Sequence, residues 1–264
     1  IDILKNARNE LYLSMRFFDV ILSGFEFLPD TKISGMGTDG FTVYFYPDYL
    51  IGLYQKTPVQ VNRAYLHMIF HCLFGHLKQP DHTDEQYWNL ACDIVVESII
   101  DELNEHSVRK YVPPYRKGVY QKLREKMEVL TPKGVYRELL GMHLEEEQFG
   151  KMQEEFFMDD HVLWNENVSP EKCIEREKKW KEQNEKLQTE METFSKEASE
   201  NAENILNQVQ IENRNRYDYR KFLEKFAILK EEMQVDQDSF DYIFYNYGME
   251  MYRNMPLIEP QETK

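Results

Sequence analysis

Two histidines four residues apart, inside a helical stretch with no polar face, constrain this chain more than any other feature. Residues 57–77, TPVQVNRAYLHMIFHCLFGHL, carry His67 and His71 in almost wholly apolar surroundings. Thr57 precedes Pro58 and stands three residues before Gln60, which predicts a capping box with proline at the first helical position. From there Val61, Ala64, Tyr65, Leu66, Met68, Ile69, Phe70, Cys72, Leu73, Phe74 and Leu77 cover nearly every side. A helix apolar all round is a buried one. Residues i and i+4 lie one above the other on a helix face, so both imidazoles can reach a single ion. A buried polar group without a partner costs about 1–3 kcal/mol, so their ring nitrogens need ligands or hydrogen bonds.

A second buried helix is predicted over residues 83–104, opened by Thr83 three residues before Gln86. Asp93 falls in its run LACDIVV, where a carboxylate loses water and needs a cation or strong donors. It follows His71 by 22 residues and ranks first as a third ligand. Glu97, one turn on, is either a helix-surface acid or a partner for a ligating imidazole. His76 points away from His67 on a continuous helix, and only a break at Gly75 would bring it to the site. His161, in DDHVLW, approaches from outside as a fourth ligand or as a donor to a bound carbonyl, with Asp159 and Asp160 placed to orient a ligating imidazole. Cys72 and Cys92 have no spaced cysteine partner and are expected as small core residues.

The rest of the chain predicts an α+β, mainly helical fold with a small sheet. A helix is expected over 2–23, ending near Gly24, and a strand over FTVYFY (41–46), with Phe25 to Leu28 pairing beside it. Thr131 and Pro132 open a further helix. From Ser169 to about residue 208 interleaved Glu and Lys predict a solvent-exposed helical extension acting as a spacer. Asp238 and Ser239 then introduce a tyrosine-rich helix, and NMPLIEPQETK is expected as a linker. The expected organisation is a metal-site domain over 1–165, the charged extension over 166–215, and an aromatic helical segment over 216–264. A net charge of −15 argues against nucleic-acid or anionic-membrane surfaces. Cys72, Cys92 and Cys173 fit a reduced, cytoplasmic setting, and no run reaches membrane-spanning length.

Zinc proteases of the zincin type place H-E-x-x-H on a helix, the histidines binding metal and the glutamate acting as general base. Here the text is HMIFH, and Met68 occupies the glutamate position with a thioether that accepts no proton at neutral pH. The segments VNRAYLHMIFHCLFGH, YWNLACDIVVE, DDHVLW and FDYIFYNYGMEMYRNMPLIEP together resemble the bacterial putative metallopeptidase domain, zincin-like, that precedes a von Willebrand factor A-like domain. The resemblance implies a metal site, with zinc expected, at His67 and His71, with Asp93 and His76 as candidates for a further ligand, and no counterpart for the catalytic glutamate. It also implies a following von Willebrand A-like domain and, as a partner, an AAA+ ATPase of the MoxR type. The expected function is therefore a pseudo-enzyme or interaction module on a metallopeptidase-like fold. The alternative is an active peptidase that uses another carboxylate as base.

Overall fold

The computed structural model describes residues 1–103, 105–164, 169–194, 211, 234–240 and 260–263. It divides into two units, Ile1–Asn213 and Arg214–Lys264. The first unit holds a mainly helical core with a small mixed sheet. The helices are α1 (Asp2–Ser14), α2 (Asp19–Leu22), α3 (Pro47–Lys56), α4 (Pro58–Phe74), α5 (Glu85–Glu102), α6 (Pro114–Arg124), α7 (Pro132–Gly141), α8 (Glu146–Phe156) and α9 (Pro170–Phe194). The strands are β1 (Glu26–Pro29), β2 (Met36–Thr38) and β3 (Thr42–Phe45). The expected class, a mainly helical fold with a small sheet and a charged helical extension, is the observed one.

Helix α4 is the centre of the unit, with α1, α3, α5 and α9 packed around it. Every residue from Val61 to Phe74 is buried, as an all-round apolar sequence requires. Its start is simpler than predicted: Pro58 takes the first helical position, but the Thr57 side chain makes no capping bond. Its end is sharp. Gly75 sits in the left-handed region at φ +60°, and the His76 N–H donates 2.9 Å back to the His71 carbonyl. This closing turn satisfies the last carbonyls and reverses the chain, and a residue with a Cβ would be strained there.

Helix α5 is capped one residue later than predicted. Asp84, not Thr83, is its cap, accepting from the Tyr87 N–H at 3.1 Å. Thr131 caps α7 as expected, accepting from the Gly134 N–H. The helix expected over 2–23 is interrupted at Met15, whose φ of −136° and ψ of 72° are not helical, and a single 3-10 turn, Arg16–Phe18, separates α1 from α2.

Strand β3 is the middle of the sheet, parallel to β1 (Phe27 opposite Val43) and antiparallel to β2 (Thr38 opposite Val43). The outer edge of β2 is not open. Asp160 pairs with Gly37 there, and its N–H donates 2.6 Å to the Met36 carbonyl. A Cβ on Gly37 would lie 2.5 Å from the Asp160 carbonyl oxygen, so only glycine allows this approach.

The charged extension is not a free spacer. Arg176, Trp180, Asn184 and Leu187 of α9 are buried, at helical spacing along one face. Trp180 Nε1 donates to the Gly40 carbonyl at 2.8 Å and Asn184 Nδ2 to the Leu73 carbonyl at 2.7 Å. In the second unit β4 (Gln234–Phe240) pairs antiparallel with β5 (Pro260–Thr263). Asp238 and Ser239 therefore lie in a strand rather than at a helix start, and residues 260–263, expected as linker, form its partner. The expected tyrosine-rich helix itself falls outside the described residues. Among those residues no helix is long and apolar enough to cross a membrane.

Candidate metal centre

Helices α4 and α5 lie side by side, and their facing turns carry the predicted trio. His67 Nε2 is 3.3 Å and His71 Nε2 3.2 Å from the same oxygen, Asp93 Oδ1. The two imidazole Nε2 atoms are 2.7 Å apart. The segment after α8, pinned to the edge of β2 through Asp160, adds two more donors. His161 Nε2 stands 3.2 Å from Asp93 Oδ1 and 3.1 Å from Asp159 Oδ1. Asp159 Oδ1 in turn is 3.4 Å from His67 Nε2 and 3.9 Å from His71 Nε2. His67, His71, Asp93, Asp159 and His161 thus offer five ligand atoms all within 4.8 Å of one another.

These residues fit a divalent metal. Tetrahedral bonds of about 2.0–2.2 Å set neighbouring donors roughly 3.3–3.6 Å apart, and the six nitrogen–carboxylate distances in this cluster, from 3.1 to 3.9 Å, lie on either side of that spacing. Three imidazoles and two carboxylates, with no thiolate, suit a borderline transition ion. Asp159 is only 1 % exposed, and its second oxygen, Oδ2, has no hydrogen-bond partner. A buried carboxylate oxygen left this way has strong reason to gain a cation.

The surroundings fix each ring. His67 Nδ1 lies 2.8 Å from Glu97 Oε1, which leaves Nε2 for the cluster. Glu97 is therefore the imidazole's partner, not a surface acid. Behind it Glu97 Oε2 accepts from Arg63 and from Arg116, each at 2.6 Å. His71 Nδ1 lies 3.0 Å from His76 Nδ1, so the turn at Gly75 brings His76 behind His71 and not into the cluster. The Trp164 ring stacks on His161 at 3.8 Å and tilts over His71 at 4.8 Å. Asp160 turns its carboxylate to the Val162 N–H, 3.0 Å away, outside the cluster.

The cluster's titration pattern has the same logic. Burial pushes the His67 imidazole down, but its bonds to Asp93 and Glu97 outweigh that and raise it to about 9. His161 is likewise lowered by burial and raised further by Asp93 and Asp159, to about 10. His71, buried beside a charged His67, is lowered to about 4. Burial opposes ionisation of Asp93 and Asp159, yet His161 above all holds both below the usual carboxylate range. Protons on His67 and His161 thus balance the two carboxylates where a metal's charge would.

The structure brings His67, His71 and Asp93, the trio expected from the sequence, into one cluster with His161, and it adds Asp159, which the sequence suggested only as an orienting group. Asp159 has no helical spacing to the histidines; the pairing of Asp160 with Gly37 carries it in. Arg63 had a legible signal, a guanidinium in the middle of an apolar helix.

A family whose description is "Putative metallopeptidase domain" matches residues 2–215. The chain belongs to that family. The match covers α1 to α9 and every residue of the five-donor cluster, so a metallopeptidase-like domain makes up most of the chain. No curated protein and no solved structure matches it.

Proposed function

We propose that this metallopeptidase-like domain holds a zinc ion through His67, His71, Asp93 and His161, with Asp159 as a fifth donor, and that it does not hydrolyse peptides by the zincin mechanism. The observation that carries the reading is the cluster itself: five donor atoms from α4, α5 and one pinned loop, in reach of one ion, with Met68 at the position of the general base. Bound zinc would supply Lewis-acid polarisation and a structural cross-link between α4, α5 and the 159–161 loop. The chain's own residues hold the site: Glu97 orients His67, His76 backs His71, and Trp164 packs on His161. Met68 is fully buried and offers no proton acceptor, which removes a contribution worth about 10²–10⁴-fold in rate. In this reading the domain is a metal-pinned binding module. The von Willebrand A-like domain and the MoxR-type ATPase implied by the resemblance are its proposed partners.

One atom favours a second reading. Asp159 Oδ2 is buried, without a hydrogen-bond partner, at the cluster, and supports a peptidase in which this carboxylate takes the proton that a glutamate would. Elemental analysis of purified protein tests the metal, and a chelator-sensitive assay on an unstructured peptide pool tests the chemistry. The first reading expects about one zinc per chain, no cleavage in wild type, and cleavage gained in Met68→Glu. The second expects cleavage in wild type and its loss in Asp159→Asn with zinc retained. Protein without stoichiometric metal, whose melting temperature does not respond to zinc, overturns both.

A further inference from the structure

The cluster is reached through a cleft of about 220 Å³ walled by the first half of α5, the end of α8 and the 159–162 loop. Glu85, Asn89 and Asp93 line it at i, i+4 and i+8 of α5, so one stripe of polar side chains runs from the open end of the helix to the cluster. Opposite stand Gln153, Phe157, Asp160 and Val162. Phe157 is 55 % and Val162 52 % exposed, two large apolar side chains left in water at one rim.

The chemistry of these walls selects a ligand. Among the described residues no lysine or arginine lines the cleft. With an ion in place, the charges of Asp93 and Asp159 are matched, and Glu85 and Asp160 remain as two uncompensated carboxylates. Asp160 spends one oxygen on the Val162 N–H. Among the described residues the side-chain amides of Asn89 and Gln153 form no hydrogen bond, so each offers a donor and an acceptor, the two groups that a peptide unit presents. Asp159 Oδ2, in the same lining, is buried and has no hydrogen-bond partner among the described residues. Phe157 and Val162 suit the apolar stem of a long side chain whose charged head reaches carboxylates.

We infer that this cleft binds an extended peptide segment through a basic side chain, lysine or arginine, set against Glu85 and Asp160, with Asn89 and Gln153 holding its backbone and Phe157 packing on its stem. The inference rests on the metal reading only for the charge left over at the walls. It names the class of polypeptide that the site accepts, whether or not it is cut.

The test uses the full chain, zinc-loaded, and three labelled eight-residue unstructured peptides identical except for a central arginine, citrulline or glutamate. Fluorescence anisotropy reads affinity, and elemental analysis of the same samples reads metal. The arginine peptide should bind about tenfold tighter than the citrulline peptide and tighter still than the glutamate one, since two partly shielded carboxylate contacts are each worth a few-fold. The preference should shrink at high salt. Glu85→Gln with Asp160→Asn should abolish it at unchanged zinc content, and Phe157→Ser should weaken the arginine and citrulline peptides alike. Equal affinity for the three peptides, or a preference that survives the double variant, overturns the inference while leaving the metal reading intact. A preference for arginine in protein that carries no zinc supports the inference and overturns the metal reading alone.

Discussion

Two nests of buried charge share one imidazole and solve the same problem differently. On one side of His67, Glu97 and Asp101 face Arg63 and Arg116. Arg63 Nη2 is 2.6 Å from both carboxylates, Arg116 also bonds Glu155, and the Tyr120 hydroxyl donates 2.8 Å to Asp101. On the other side, among the described residues, the ion-pair partners of Asp93 and Asp159 are imidazoles. The first nest carries its own counter-charge, and guanidinium keeps that charge at any working pH. The second has groups that take a proton or give it up, and that bind metal when they do. A nest closed by arginine is built to hold a fold. One closed by histidine is built to exchange what it holds.

The sharpest way to break the comparison is to remove one acid from each nest in metal-free protein. Glu97→Ala leaves Arg63 and Arg116 short of a partner and His67 without its orienting bond, and should cost roughly 3–5 kcal/mol, read from urea midpoints. Asp93→Asn should cost clearly less, because its imidazole neighbours relieve the lost pairing by giving up their protons. Equal losses would show that the two nests do not differ in kind.

Adding zinc reverses the ranking of what matters. At about 1,000 times its dissociation constant, zinc should stabilise the wild-type chain by about 4 kcal/mol. Asp93→Asn should lose most of that response, whereas Lys78→Ala, which removes an exposed ion pair with Glu177, should keep all of it. A zinc response that survives Asp93→Asn would place the ion elsewhere.

Protons offer a gentler probe of the exchangeable nest. In metal-free protein His67 is raised from 6.5 to about 9 and His161 to about 10. Groups raised on folding stabilise fully below their unfolded value, so this contribution is complete below pH 6.5 and is lost as pH climbs through 9 and 10. His71, lowered to about 4, acts oppositely and removes stability as pH falls from 6.5 towards 4. Melting temperature against pH should therefore fall on the alkaline side in chelator and stay nearly flat there with zinc, where the ion takes the protons' place. Parallel curves would sink the exchange.

How much of this the sequence disclosed follows the range of the interactions. His67, His71 and Asp93 were legible because helical period and apolar context are local signals. The strand at 41–46 and its pairing with the segment from Phe25 came from β-branched and aromatic text, and the class of fold followed from both. Asp159 was not legible as a member of the cluster, because its place depends on Gly37 admitting Asp160 to the edge of β2, a contact between segments about 120 residues apart. Helix α9 was misjudged for a subtler reason. Its composition is that of an exposed helix, and burial rests on Arg176, Trp180, Asn184 and Leu187, three of them able to donate hydrogen bonds. A stripe made of long polar side chains hides in a count of apolar residues.

That stripe leads to the smallest effect and the most specific. Arg176 donates to three carbonyls from three segments, those of Asp39 at 3.3 Å, Trp164 at 3.2 Å and Leu77 at 3.3 Å. Gly40, at φ +92°, makes room for it, since a Cβ there would lie 2.5 Å from Arg176 Cδ. Trp164 is the ring stacked on His161, so α9 reaches the exchangeable nest through one guanidinium and one indole. Arg176→Leu should weaken zinc about tenfold, the lower end for groups that orient a ligand, in competition with a chromophoric chelator. Arg176→Lys, which cannot span three carbonyls at once, should fall between. Because the effect passes through His161, Arg176→Leu should add nothing in a His161→Ala background. A variant that melts earlier but binds zinc as tightly as wild type would reduce α9 to packing, and the two nests would then differ only in their own residues.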